Sequence, residues 1–337
     1  VLWEAPVRGL TYAFGRRKPP WVEALEPPPE QIARTIEHKL TVSPSSNGIR
    51  RNTEIEEATN LYFIHPISSW LVPVLAKAGI HPNTVSLAGA ACGILAAVAY
   101  GFHQTSGMVF TGLGLMIIWH ILDGADGQLA RLTNKVTPSG FVIDGLCDYA
   151  TFGAIYIAIG LLLAKTQGSG AWLLVTLAGL SHAVQSAAFE RQRESYIYWT
   201  SKVPAMTPDE FEAKEAARKD ALESSTLRGF MASYEMLQRP FLPIPREAER
   251  WLRDEVRAGK APEVAALYRA IYRPAVLMWS LLSANNRTIA IFLAFLVSLP
   301  QGYPWVELFA LNVILAALLS MNAALGRRLS RREWLPS

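Results

Sequence analysis

Cysteine is nearly absent from this chain: Cys92 and Cys147 are the two, among 337 residues, and both sit in apolar stretches. That excludes a disulfide framework and a thiolate zinc cluster. Charge is scarce as well. Only 18% of residues are charged and 51% are hydrophobic, whereas a soluble domain averages about 25% charged. The balance leans toward a membrane and excludes a disordered or collagen-like chain. The net charge of +4 is too small to argue for a nucleic-acid partner and fits a basic surface facing a membrane. There is no internal repeat and no low-complexity tract, and no signal peptide is visible at the first residues.

What is present is unevenly spread. Residues 58–189 hold eight charges: Lys77, Asp123, Asp126, Arg131, Lys135, Asp144, Asp148 and Lys165. Residues 190–273 hold 29, of which 15 are basic and 14 acidic. The first stretch reads as embedded in lipid, the second as exposed to water. Six of the eight charges fall between Asp123 and Asp148. Charge at membrane depth is costly, so that clustering marks a functional site.

A spanning helix needs about 20 mostly apolar residues. Four candidates come early, at Thr84–Phe102, Met108–Leu129, Phe141–Ala164 and Ala171–Phe189, and two late, at Leu281–Leu299 and Trp305–Leu325. The fifth is interrupted by Asn285, Asn286 and Arg287. The fold class expected is an all-α integral membrane protein with six transmembrane helices behind an amphipathic juxtamembrane helix. The bias of lysine and arginine puts the short linkers 103–107, 165–170 and 300–304 outside. Both termini and the carboxylate cluster then face the cytoplasm. The expected divisions are a cytoplasmic arm at 1–56, with Pro19-Pro20 and Pro27-Pro28-Pro29, and a juxtamembrane helix at 57–80, lying in the interface. The first four spans occupy 81–190, a cytoplasmic insertion 191–280, the last two spans 281–326, and a basic tail 327–337. Helical stretches are expected in the insertion at Asp209–Ser224 and Arg246–Arg257.

Asp123 and Asp126 are three residues apart and share a helix face, as do Asp144 and Asp148, four apart. The short loop Leu132–Ser139 joins the two helices as an antiparallel hairpin, so four carboxylates converge. They cannot all be ionised without a counter-charge: some are protonated, or a cation sits among them. Oxygen ligands favour magnesium or manganese, and four carboxylates can hold two ions, the arrangement suited to phosphoryl chemistry. Gly127 and Gly140 leave room for close approach. Arg131 lies one turn beyond Gly127 and suits a phosphate. A carboxylate-gated transporter also uses intramembrane carboxylates, though near the midplane on broken helices.

The run D-x2-D-G-x2-A-R-x8-G-x3-D-x3-D, from Asp123 to Asp148, resembles the signature of the CDP-alcohol phosphotransferase family, with every fixed position filled. The resemblance covers roughly His65–Glu190 and, loosely, the last two spans. It implies an integral membrane enzyme of phospholipid synthesis that binds two divalent cations through Asp123, Asp126, Asp144 and Asp148. Asp148 also serves as general base. It implies nucleotide contacts from Gly127, Arg131 and Thr137. It implies further contacts from Asn83 and Ser86 in His81-Pro82-Asn83-Thr84-Val85-Ser86, where serine stands in for the commoner threonine. The partners implied are a CDP-alcohol donor, an alcohol acceptor, the bilayer and a second copy in a homodimer.

Two directions of transfer stand. Six spans favour CDP-diacylglycerol as donor with an inositol-type acceptor. The Arg-x-Thr-Asn continuation and the Cys-Asp ending resemble the aminoalcohol branch, which carries phosphocholine or phosphoethanolamine to diacylglycerol. Lys135, His182 and Arg191 are candidates for the acceptor site. His120, Arg193 and Arg287 are weighed beside them, each with a packing or anchoring alternative.

Overall fold

The computed structural model describes residues 53–204 and 224–331, with a few positions between 205 and 223. All but the last four residues of the expected arm, the last residues of the tail and most of the stretch Asp209–Ser224 lie outside the described residues. Among those described, there is helix and connecting turn and no strand.

Ten helices carry the architecture: α1 (His65–Lys77), α2 (Pro82–Gly101), α3 (Met108–Leu132), α4 (Pro138–Gln167), α5 (Ala171–Ile197), α6 (Ser225–Gln238), α7 (Arg246–Arg257), α8 (Ala261–Trp279), α9 (Ala284–Leu296) and α10 (Leu311–Ser330). Their ends follow from local chemistry. Helix α2 opens with Pro82 in its first turn, behind His81, whose ring accepts from the Asn83 amide. Proline there costs nothing, because that amide has no intrahelical partner. Helix α4 repeats the device with Pro138 behind Thr137, whose hydroxyl accepts from Gly140 N–H at 3.0 Å. Between α4 and α5 the chain reverses at Gly168, with φ of 70°, a conformation that favours glycine.

Helices α2, α3 and α4 pack closely because small residues face each other. A Cβ on Gly93 would lie 2.3 Å from Thr151 Cγ2, and one on Gly112 would lie 2.7 Å from the Tyr100 ring. Around this contact lies a core that includes Tyr100, Met116, Trp119, Ile155 and Ile159. Helix α1 lies against α3. Ser68 donates to the Ile121 carbonyl at 2.7 Å and Ser69 to Gln128 at 2.8 Å, while Tyr62, Phe63, Trp70 and Val74 stay exposed.

Five stretches among the described residues are long and apolar enough to cross a membrane: Pro82–Gly101, Met108–Leu132, Pro138–Lys202, Ala261–Leu296 and Gly302–Ser330. The third contains both α4 and α5, so all four early candidates are found. The expected count of six is not fixed by this. The fifth candidate corresponds to α9, whose 13 residues rise only about 20 Å, short of a hydrocarbon core of about 30 Å. It joins α8 through a short 3-10 turn into one apolar stretch, so the expected boundary at 280/281 falls inside a continuous stretch. Exposed Leu95, Val98, Leu161, Leu173, Leu177 and Val313 form the outward apolar surface that lipid requires. The chain is a multi-pass, all-α membrane protein.

Charge in the late spans is neutralised internally. Arg287, 1% exposed, pairs with Glu307 at 3.3 Å and donates to Gln185 at 2.6 Å. Tyr303 donates to the other Glu307 oxygen at 2.7 Å. A second core, of Tyr196, Trp199, Leu252, Tyr268 and Tyr272, joins the end of α5 to α7 and α8. The expected helix Arg246–Arg257 is α7, with the same bounds.

Candidate active site

The hairpin of α3 and α4 brings three of the four motif aspartates together. Asp123, Asp144 and Asp148 each offer an oxygen within 4.8 Å of the others, and all three are half-buried. Asp126 is not among these three. It is buried and accepts a short hydrogen bond from Ser86 Oγ on α2. The spacing predicts shared faces within each helix, and Asp123, three residues before Asp126, sits on the side toward α4. Three hard carboxylates that close together suit a divalent cation, since their mutual repulsion needs a counter-charge.

Of the residues expected around the nucleotide, Ser86 meets Asp126. A Cβ on Gly140 would come within 3.0 Å of Thr137 Oγ1 and 3.4 Å of Asn83 Oδ1, so Asn83, Thr137 and Gly140 form one group. A Cβ on Gly127 would be 3.4 Å from an Arg131 guanidinium nitrogen. Asn83 and Ser86 are about one turn apart at the start of α2, and Arg131 lies in the last turn of α3.

On the other side of the aspartates opens a cavity of about 570 Å³. Its walls include Asp123, Asp144 and Asp148, and also His182 of α5. His182 is buried and 3.1 Å from the Tyr156 hydroxyl. Lys135 and Arg191 do not line it. Lys135 is exposed in the α3–α4 loop. Arg287 is likewise absent from the wall, being held by Glu307. His120 does line it and is 2.9 Å from Thr288 Oγ1 on α9.

Several wall residues were not legible in the motif. Glu57, Asn60 and His65 enter from the segment before α2, and Phe230, Met231 and Tyr234 from α6. The Phe230 ring stands edge-on to Tyr149 at 5.9 Å. The N-terminal segment is tied down by Asn285 at the start of α9, which donates to Glu57 at 2.9 Å, Thr59 at 3.0 Å and Asn60 at 2.8 Å. Burial pushes the Glu57 carboxyl up, against the hydrogen bonds from Asn285 and Ser283. Burial also pushes Glu56 up, but His65, Arg193 and Asn60 together outweigh it and hold Glu56 at about 2. A signal for this segment exists in the sequence: a run of glutamates, Glu54, Glu56 and Glu57, just before the first apolar residues.

Residues 79–207 match the model of the CDP-alcohol phosphatidyltransferase family. Similar proteins include Cholinephosphotransferase 1 of Mus musculus, 29% identical over 47% of this chain and 38% of its own length. Phosphatidylinositol phosphate synthase of Mycobacteroides abscessus is 30% identical over 33% of this chain and 49% of its own. Inner membrane protein YnjF of Escherichia coli is 31% identical over 34% and 54%. The chain thus spans about half, or less, of the length of these relatives. No solved structure matches. The aspartate cluster, Gly127, Gly140 and Arg131 all fall inside the residues that match the family's model.

Proposed function

We propose that the protein transfers a substituted phosphate from a CDP-alcohol to the hydroxyl of a second alcohol and releases CMP. The observation that carries this is the convergence of Asp123, Asp144 and Asp148 beside a cavity large enough for a substrate, within the family's matched segment. In this reading the acceptor oxygen bonds to the β-phosphorus while the bond from that phosphorus to the CMP oxygen breaks. CMP departs with the electron pair. Asp148 takes the hydroxyl proton, which requires it to lie within hydrogen-bond reach of the acceptor.

Asp123, Asp126, Asp144 and Asp148 would hold two divalent cations, magnesium or manganese, which supply positive charge to the diphosphate as the leaving oxygen gains charge. Asn83, Ser86, Gly127, Arg131 and Thr137 would bind the nucleotide. Arg131 adds a fixed cation suited to phosphate, and the hydroxyl of Ser86 orients Asp126. Placing the site at one end of the spans lets a soluble nucleotide and a lipid meet there, and the lysine and arginine bias puts that end on the cytoplasmic side. A homodimer is the assembly proposed.

The test is CMP release by purified protein with magnesium. CDP-diacylglycerol and, separately, CDP-choline or CDP-ethanolamine are offered against a panel of acceptors. CMP appearing with one donor–acceptor pair establishes the reaction and its direction. Metal binding with no CMP from any pair would replace the transferase with a carboxylate-gated transporter.

A further inference from the structure

Helix α6 lies outside residues 79–207, the part of the chain that matches the family's model, yet it helps to wall the site. It packs against both α4 and α5. Its residues sort by helix face. Phe230, Met231, Tyr234 and Gln238 are buried or half-buried, whereas Arg228, Ser233 and Met236 are exposed. Spacings of three and four residues put the first group on one side. Phe230, Met231 and Tyr234 line the same cavity as Asp123, Asp144 and Asp148.

The contact with α4 falls within the aspartate motif. A Cβ on Gly145 would lie 3.8 Å from Phe230 Cε1, and the Phe230 ring stands edge-on to Tyr149. Gly145 directly follows Asp144, and Tyr149 directly follows Asp148. The ring therefore covers the strip of α4 beside both carboxylates. Tyr234 lies one turn further along α6, near Glu190 and Glu194 of α5. Burial pushes its hydroxyl up, and the two glutamates add to the shift, so it enters the wall uncharged. What α6 brings to the cavity is thus an aromatic ring, a thioether and a neutral phenol, with no ionised group.

The proposed transfer has a competitor in water. A base and divalent cations that activate an alcohol activate water as well, and two-metal sites serve hydrolases as readily as transferases. In the competing step a water oxygen bonds to the β-phosphorus while the bond from that phosphorus to the CMP oxygen breaks. CMP departs with the electron pair, and Asp148 takes the proton. The product is the phosphate monoester of the donor's alcohol, and the activated donor is lost. A carboxylate base does not distinguish the two hydroxyls. Discrimination has to come from keeping water away, which a closed apolar wall does.

We infer that α6 is a water-excluding cover over the aspartates, and that Phe230 sets the preference for an alcohol over water as the attacking group. Phe230 acts by shielding and takes no part in the bond changes. The inference rests on the transferase reading above and concerns the selectivity of that same site.

One measurement of access and one of chemistry test it. For access, Gly145→Cys is made in a Cys92→Ala/Cys147→Ala background, with and without Phe230→Ala. Its modification by a small water-soluble methanethiosulfonate is timed in nanodiscs. The thiol is expected to react about tenfold faster once the ring is removed. For chemistry, wild type, Phe230→Ala, Phe230→Leu and Met236→Ala receive magnesium in water enriched in heavy oxygen. CDP-choline, CDP-ethanolamine and CDP-diacylglycerol are offered in turn. Each is tested alone and against dioleoylglycerol, glycerol phosphate, inositol phosphate and inositol. The readout is the ratio of hydrolysis, seen as heavy oxygen in the monoester, to transfer. Partial unfolding lowers both and leaves the ratio alone. Phe230→Ala is expected to raise the ratio about tenfold. Phe230→Leu, which keeps apolar bulk, stays close to wild type, as does Met236→Ala on the exposed face. An unchanged ratio in Phe230→Ala, or equal thiol rates with and without the ring, overturns the inference and leaves the transferase standing. So does a wild type that hydrolyses its donor as fast as it transfers. No CMP from any donor, with or without acceptor, in protein whose thiol is shielded as expected, overturns the transferase reading, and the inference falls with it.

Discussion

Asp126 and Asp148 occupy equivalent places in the motif and unlike places in space. Asp126 is buried against Ser86, whereas Asp148 faces the cavity. The roles separate accordingly. Asp148→Asn keeps the size and loses the base, so CMP release is expected to fall by about 10²–10⁴-fold, with the thermal unfolding midpoint preserved. Turnover at the wild-type rate in that variant removes Asp148 from the base role. A second residue-scale prediction concerns acid. His65, Arg193 and Asn60, working against burial, hold Glu56 at about 2, below its ordinary value. Its contribution to stability is therefore fully present above the ordinary carboxylate range and is lost as pH falls toward 2. Unfolding midpoints measured between pH 5 and 2, limits set by the ordinary and depressed values, are expected to fall less steeply in Glu56→Gln than in wild type. Equal slopes would show that the His65–Glu56 contact carries no net stabilisation.

Helix ends decide how the site is assembled. Thr137 caps α4 through Gly140 N–H, and the same residue lies beside Asn83, so one hydroxyl serves the helix and the proposed nucleotide site. Thr137→Ala is expected to cost about 1 kcal/mol of stability from the lost cap and also to raise the KM for the CDP-alcohol, with Thr137→Ser restoring both. A lower unfolding midpoint with an unaltered KM would leave Thr137 a cap alone. At this scale the sequence was most informative. Met108–Leu129, Phe141–Ala164 and Ala171–Phe189 are the cores of α3, α4 and α5, because a long apolar run has no other place to go in lipid. The spacing of Asp123, Asp144 and Asp148 also carried through, since helix periodicity and one short loop fix it. What did not show was the long-range contact. Nothing local in Ser225–Gln238 announces that Phe230 will lie against Tyr149, or that Asn285 will hold Glu57. Nor does anything local announce that Ser86, 40 residues away in the chain, will donate to Asp126.

Over the whole molecule, charge is sorted between two ends and a few neutralised interior points. Inside the bundle, Arg287 and Glu307 satisfy each other together with Gln185 and Tyr303, so the interruption of the fifth expected span is offset by a partner in the next. Several other cations lie toward the end that holds the aspartate cluster: Arg131 in the last turn of α3, Lys135 in the α3–α4 turn, the basic residues of α7, and Arg327 and Arg328 at the end of α10. The opposite linkers, at 103–107, 165–170 and 300–304, carry a single charge, Lys165. Such a bias predicts that the basic end faces the cytoplasm, the orientation proposed above. The orientation can be read with single cysteines in a Cys92→Ala/Cys147→Ala background. Thr105→Cys lies in an exposed turn and Ala258→Cys at the exposed end of α7. In intact cells a membrane-impermeant thiol reagent is expected to label the first and to reach the second only after permeabilisation. The reverse pattern would put the aspartates on the outer side and oblige the nucleotide donor to be supplied there. Labelling of both in intact cells would mean that an even number of the three helices α3, α4 and α5 cross the bilayer, not all three.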